Sequence, residues 1–416
     1  MRRGSFVLLS ALIVAALGLS ACGGGDAGGG TGDKVQSIRL VAAEYSKSNT
    51  AAFWAQFAKK YQAKTGIRLD VQVVSWTDID QQSSTMIQNG SPPDILNLNA
   101  YASYAADDLL YNADEVLSPE VRGDLLDAFV KSGTYKGKLY GMPDLSSARA
   151  LFYNKALFAK AGVANPPTTW PEFADTAKKI SALGDGVTGY AEPLGPEEAQ
   201  AEFSIWLVNN GGDWKTDGKW TINSPKNVET LKFLKQLAVT DKVTQNNPGR
   251  TNRTDGAFAQ FRSGKAGMVV GFSPLAGDLD KDKTVEYGVA PMPSNTGGPA
   301  QTYGVTDYLM AFKRPGNTDA VKAFYDLYYS PDEVNTFIKG EGFLPVTKSG
   351  IKEFSSDQAL KVYLDTLPNV HLTPTDDPRW DKVKLAVQQN LGTAVAPDGD
   401  PQRVLDDLQK LAESGS

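Results

Sequence analysis

Three short stretches decide the fold: SIRLVAAE at residues 37–44, IRLDVQVV at 67–74 and PDILNLN at 93–99. In the first, Ile38, Leu40 and Ala42 share one face. In the second, Ile67, Leu69, Val71 and Val73 alternate, the period of a strand. Between them lie helical patterns. After Ser48 or Asn49, the residues Phe53, Trp54, Phe57, Ala58 and Tyr61 line one side of a helix that Gly66 ends. A second helix runs from about Asp78 to Asn89 and stops at Gly90. The order β-α-β-α-β predicts parallel strands, because each helix returns the chain to the same end of the sheet. Open parallel sheets bind ligands at the carboxyl ends of their strands. Those ends are Glu44-Tyr45-Ser46, Trp76-Thr77-Asp78 and Asn99-Ala100-Tyr101.

The middle of the chain continues in the same style. Thr169-Trp170-Pro171-Glu172 is a capping box, and Phe173, Ala177 and Ile180 follow at helical spacing. Ser224-Pro225 opens a helix with Val228, Leu231, Leu234 and Leu237 on its buried stripe. Ala266–Gly271 reads as a short buried strand. Late helices are expected over Thr318–Ser330, Asp377–Leu391 and Asp400–Glu413. No repeat of 20–50 residues is present.

Working outward, the amino end carries Arg2 and Arg3, then an apolar run from Phe6 to Leu19. It is too short to span a membrane as a helix and has the form of a secretory signal. It ends Leu19-Ser20-Ala21-Cys22, which resembles the lipobox of bacterial lipoproteins. That resemblance implies that Cys22 becomes the mature amino terminus and carries lipid. Residues 23–33 are mostly glycine and read as a flexible tether. The expected division is a signal peptide over 1–21 and a lipidated cysteine with its tether over 22–36. Removing residues 1–21 takes two basic residues and no acidic one, so the formal charge moves from −6 to −8. The acidic balance argues against nucleic acid as a partner. The remaining 395 residues suffice for two or three cores.

Several chemistries are excluded by composition. The chain has one histidine, His371, and one cysteine, so neither a Cys/His metal cluster nor an internal disulfide can form. There is no G-x-S-x-G elbow; Gly271-Phe272-Ser273-Pro274-Leu275 lacks the closing glycine. There is no phosphate-binding loop, since Ala266 follows Gly264-Lys265. No cofactor and no metal are expected. Two carboxylates alone suffice for glycoside hydrolysis, so that alternative stays open.

Four motifs carry a family resemblance over most of the mature chain. They are Gly90-Ser91-Pro92-Pro93-Asp94-Ile95; Tyr153-Asn154-Lys155-Ala156-Leu157-Phe158 with Pro167–Phe173; Phe261-Arg262-Ser263-Gly264-Lys265-Ala266-Gly267-Met268; and Gly342-Phe343-Leu344-Pro345-Val346. In order and spacing they resemble the bacterial extracellular solute-binding proteins of the maltose-binding-like family. Gly267 stands where that family usually has alanine. The resemblance implies an α/β, two-lobed periplasmic-binding-protein-like fold with a hinge and a central ligand cleft. Crossing segments would fall near Asp144–Arg149, Tyr287–Met292 and Leu344–Lys348. Lobe 1 would be 37–145 and 292–345, and lobe 2 would be 146–291 and 346–416. It also implies a monomer that captures a mono- or oligosaccharide and delivers it to the transmembrane subunits of an ABC importer, held to the membrane by its lipid. A non-sugar solute is the other open reading.

A sugar site needs aromatic plates for C–H faces and fixed polar groups for hydroxyls. The candidates at the strand ends are Glu44, Tyr45, Trp76, Asn97, Asn99 and Tyr101. Ser147 and Arg149 lie at the first crossing, where Asp144 and Ser146 are equally placed. Glu198 sits at a helix start, a position where an acid also complements the helix dipole. Phe272 follows the strand ending at Gly271. Tyr303 and Asp307 flank Gly304 beyond the second crossing. Trp380, at the start of a late helix, stands where the family places a stacking plate.

Overall fold

The computed structural model describes residues 35–364, 367 and 370–414. The expected signal peptide, Cys22 and most of the tether lie outside the described residues. From Val35 onward the chain forms one unit built around two sheets.

The opening stretch folds as its periodicity requires. Strand β1 (Ser37–Ala43), helix α1 (Thr50–Thr65), β2 (Arg68–Val74), α2 (Ile79–Gln88) and β3 (Ile95–Leu98) follow in order. β1 pairs in parallel with both β2 and β3, with Leu40 opposite Val71 and Ile95. Phe53, Trp54, Phe57 and Tyr61 of α1 are buried, and Gly66 ends the helix in the left-handed region at φ 76°.

The chain then enters β4 (Met142–Ala148) and, after Arg149 alone, β5 (Ala150–Asn154). β4 belongs to the first sheet and β5 to the second. The second sheet is completed by β6 (Thr188–Ala191), β7 (Ala266–Gly271) and β8 (Tyr287–Ala290), in the order β8-β5-β7-β6. Its helices include α3 (Trp170–Ser181), α4 (Ala199–Val208) and α5 (Pro225–Lys235). The capping box forms as expected. Thr169 Oγ1 accepts from the Glu172 amide at 3.4 Å, and Glu172 Oε2 accepts from the Thr169 amide at 3.3 Å. All ten residues of α4 are buried, so it runs through the second core.

The chain returns to the first sheet in β9 (Thr302–Ala311), a long strand with three partners. Residues 308–311 run antiparallel to β3 and 304–309 antiparallel to β4. The first sheet is therefore mixed, not purely parallel as the opening pattern suggests. Helices α6 (Thr318–Tyr328) and α7 (Pro331–Glu341) then cover it. Trp54 stacks on Tyr328 at 5.6 Å and on Phe324 at 6.2 Å, and meets Phe337 at 5.3 Å.

Two boundaries differ from expectation: residues 146–148, expected in lobe 2, pair with β9 in the first sheet, and the last crossing moves as well. Strand β10 (Val370–Leu372) pairs in parallel with residues 302–304 of β9, so residues up to 372 return to the first sheet. Helices α8 (Trp380–Asn390) and α9 (Pro401–Glu413) bury Trp380, Val383, Val387, Leu405 and Leu408 in the second core. The last crossing thus follows Leu372, not Leu344–Lys348. Leu344 stays with the first lobe because its backbone bonds Ser146 in both directions. Sequence alone missed this because β10 is three residues long and carries no alternating pattern.

Trp54 is the centre of the aromatic layer between α1, α6 and α7. Trp54→Ala is expected to lower unfolding stability by about 3–5 kcal/mol, read as a lower urea midpoint at unchanged slope.

Candidate functional site

Three features of the first lobe meet where β1 and β3 end. The Ala43 amide donates to Asn97 Oδ1 at 3.1 Å, and Asn97 Nδ2 donates to Asp144 Oδ2 at 2.9 Å. Asp144 is the extra residue of a bulge in β4: Leu145 pairs with Asp307 and Pro143 with Tyr308. Bulges re-aim side chains beside functional sites. Here the bulge brings Asp144 and Asp307 close enough to repel. The Tyr45 hydroxyl donates to Asp307 Oδ2 at 2.8 Å, and Tyr328 donates to Asp144.

The second lobe supplies charge and a ring. Arg149 sits at the single residue between the two sheets, and its Nη2 donates to Glu198 Oε1 at 2.6 Å. Arg253 pairs with Glu198 and, at 3.1 Å, with Glu197. Both guanidinium groups lie on the Phe272 ring, at 4.4 Å and 4.8 Å from its centre. Such contacts favour a cation over an aromatic face.

A run of rings joins the two halves. Trp76 meets Tyr45 at 5.6 Å, Tyr45 meets Phe343 at 5.2 Å, and Phe343 meets Phe272 at 5.9 Å. Phe343 is aimed by Gly342, which ends α7 at φ 73°, a conformation that favours glycine. Bonding capacity is left over beside this run. Asp307 Oδ1, Glu341 Oε2, Arg149 Nε and Arg253 Nε are buried with no hydrogen-bond partner. Buried polar atoms without partners are rare and call for an explanation.

The electrostatics follow from burial. Burial pushes the Asp307 carboxyl up to about 7, against the pull of the Tyr45 hydroxyl; Glu198 raises it further, while Lys384 and Arg253 lower it. Burial lifts Asp144 to about 8, with Asp307 and Glu341 adding to the rise and Tyr328 and Asn97 opposing it. Burial alone would raise Glu197, but Arg253 and Thr254 hold it below the usual carboxylate range.

The structure thus gathers Tyr45, Trp76, Arg149, Glu198, Phe272 and Asp307 at the junction of the sheets. Glu44 is half-buried beside them, its amide bonded to Val74. Asn99 accepts from Lys384 Nζ at 2.9 Å. Other candidates are placed differently. Asn97 is fully buried and satisfied by Ala43 and Asp144, a scaffold role. Tyr101 is buried in the first lobe, donating to the Ser132 carbonyl. Ser147 is buried within β4, opposite Val305. Tyr303 and Trp380 lie in the second core. Trp380 is 1 % exposed, stacked on Trp220 and edge-on to Trp214, so it is not an open plate. Arg253, Phe343, Glu341 and Lys384 were missed. Phe343 stood inside a quoted motif, but the others carry no signal beyond being charged.

Two cavities open elsewhere. One of about 950 Å³ lies between α3 and α5, lined by Trp170, Lys178, Lys232 and Phe233. One of about 500 Å³ lies at the amino ends of the first sheet's strands, around Arg39, Asp94 and Arg314. The junction itself is closed by its own side chains: Arg149, Phe272 and Asp307 are all buried. Among the described residues, no group of three His, Cys, Asp or Glu is placed to hold a metal ion, and no helix is long and apolar enough to cross a membrane.

Two α/β lobes, joined by crossing strands and meeting at rings and charges, define a two-lobed solute-binding protein. Residues 56–362 match the bacterial extracellular solute-binding proteins, and the chain belongs to that family. Its members work outside the cytoplasm. A putative binding protein of Brucella abortus is 29% identical over 415 residues, covering 98% of this chain and 97% of that one. The diacetylchitobiose binding protein DasA of Streptomyces coelicolor is 25% identical over 357 residues, 81% of each chain. The solved structure of maltose-bound T. maritima MalE3 superposes with a TM-score of 0.78 at 22% identity, covering 91% of this chain and 99% of that one, and shows the fold. These relatives are binding proteins.

A carboxyl raised on folding binds its proton more tightly folded than unfolded. Its stabilising contribution is complete below the unfolded value near 4 and is lost as pH rises through the folded value. For Asp307 that window runs from the ordinary value of 3.8 to about 7. Thermal unfolding of the wild type is expected to weaken across this window, and Asp307→Asn is expected to flatten that part of the profile.

Proposed function

We propose that this protein captures a mono- or oligosaccharide between its two lobes and delivers it, unaltered, to the membrane subunits of an ABC importer. One observation carries the reading. A continuous run of rings, Trp76-Tyr45-Phe343-Phe272, crosses from lobe to lobe beside buried carboxylate and guanidinium atoms whose bonding capacity is unspent. Sugars present C–H faces to rings and hydroxyl edges to such groups. The names of DasA and of the maltose-bound neighbour point to the same ligand class. Opening at the crossings would admit the solute, and closure would bury it against both halves. Ligand shifts that balance only through its better contacts in the closed form.

Cys22, following small residues, would hold the receptor to the outer face of the cell membrane through lipid, with the glycine-rich segment as its tether. The receptor acts as a monomer and does not cleave what it binds.

The test is calorimetric titration of the mature chain with maltose, diacetylchitobiose and related saccharides. Saturable binding of at least one sugar is expected. Trp76→Ala and Phe272→Ala are each expected to weaken it roughly tenfold or more. Binding only to non-sugar solutes would overturn the ligand class, and recovery of cleaved oligosaccharide would overturn the receptor reading. Cys22→Ser is expected to move the protein from the membrane to the soluble fraction.

A further inference from the structure

We propose that Lys384 is a latch that holds the two lobes closed and sets the affinity of the cleft without touching the solute. It rests on the reading that the solute is held between the lobes. Lys384 lies on α8, whose buried face belongs to the second core. Its ammonium group reaches the first lobe twice. Nζ donates to Asp80 Oδ1 of α2 at 3.0 Å and to Asn99 Oδ1 at the end of β3 at 2.9 Å. Lys384 is 4% exposed, so its ammonium is shielded from solvent, while the Asp80 side chain, at 30%, stays partly open to it.

The charges around the group make it more than a single pair. Asp80 from α2, Asp381 from the first turn of α8 and Asp307 from β9 all act on Lys384. One cation thus serves three carboxyl groups drawn from both lobes. A second tie lies alongside: Ser103 Oγ donates to Asp381 Oδ2 at 2.5 Å, linking the segment after β3 to the start of α8. Take the ammonium away, and Asp80 and Asp381 face each other across the junction with nothing between them. The two like charges then repel, and separating the lobes relieves the repulsion. The open form gains, and the closed form that grips solute is taxed by its lower population.

Asn99 gains a role by the same geometry. It stands at the carboxyl end of β3, where a solute contact was expected, but its side-chain oxygen is engaged by the latch. Phe272, Arg149 and Tyr45 remain for the solute.

The test measures closure without solute. Spin labels at Gln56→Cys on α1 and Lys219→Cys in the second lobe, with Cys22→Ser, report the distance between lobes. Both labelled positions are exposed. Lys384→Met is expected to shift the solute-free distribution to longer distances and to raise the dissociation constant for a bound sugar by roughly tenfold or more. Lys384→Arg is expected to restore most of the short-distance population. Asp80→Asn leaves the helix and the ammonium in place, and is expected to open the lobes partway; it carries the test if Lys384→Met does not fold. Unchanged distance distributions in both Lys384→Met and Asp80→Asn would overturn the latch. That readout needs no ligand, so the latch stands or falls separately from the sugar reading.

Discussion

The two halves of this protein are held to one another first by covalent continuity. β4 and β5 form an almost unbroken extended run, and at Arg149 the backbone changes partners. Before it, the strand bonds to β9 in the first sheet; after it, to β7 and β8 in the second. An extended strand that changes sheets can bend at one residue while both ladders stay intact. The same residue sends its guanidinium to Glu198 and Phe272, so the pivot of the backbone is also a pole of the charged cluster. Asp144, five residues before Arg149, occupies the bulge that pairs the crossing with β9. Geometry of the hinge and geometry of the site are thereby one problem.

Much of this was legible in residue order. Period-two strands and period-3.6 helices in the first hundred residues needed no long-range information, since each pattern buries one face of its own element. The capping box at Thr169 and the stripe of α5 formed for the same local reason. Tyr45 and Trp76 came together because carboxyl strand ends share one edge of a sheet, a rule of topology, while Asp307 joins them from within β9, opposite the bulge of β4. What stayed hidden depends on distant partners. Trp380 stands at a helix start where the family resemblance implies a stacking plate. Trp214 and Trp220, contributed by another part of the chain, bury it. Lys384 reads as one of several charges on a surface helix, and only the approach of α2 and β3 encloses it. Arg253 announces nothing, because its importance comes from the Phe272 ring it covers.

The acids of the junction explain why the site tolerates so much buried charge. Asp144 and Asp307 stand in a low-dielectric setting, and burial above all keeps their carboxyls protonated to higher pH than usual, with Asp307 adding to the rise at Asp144 and Glu198 to that at Asp307. Protonated, they can donate as well as accept hydrogen bonds. The two arginines, by contrast, arrive already neutralised by Glu197 and Glu198. The cluster therefore offers a guest both donors and acceptors at little net charge, which suits an uncharged, hydroxyl-rich molecule better than an ion.

β9 has one more consequence, for the order of assembly. Its residues come late in the chain, yet it supplies the first sheet with three of its pairings, to β3, β4 and β10. Until residue 311 has emerged, β3 has an open flank and the amino-terminal half cannot finish its sheet. Pairings this remote in sequence close slowly, because the loop entropy must be met first. For a chain destined for the far side of a membrane, slowness is useful. A polypeptide that cannot complete its fold early stays threadable through a narrow translocation channel until most of its length has passed.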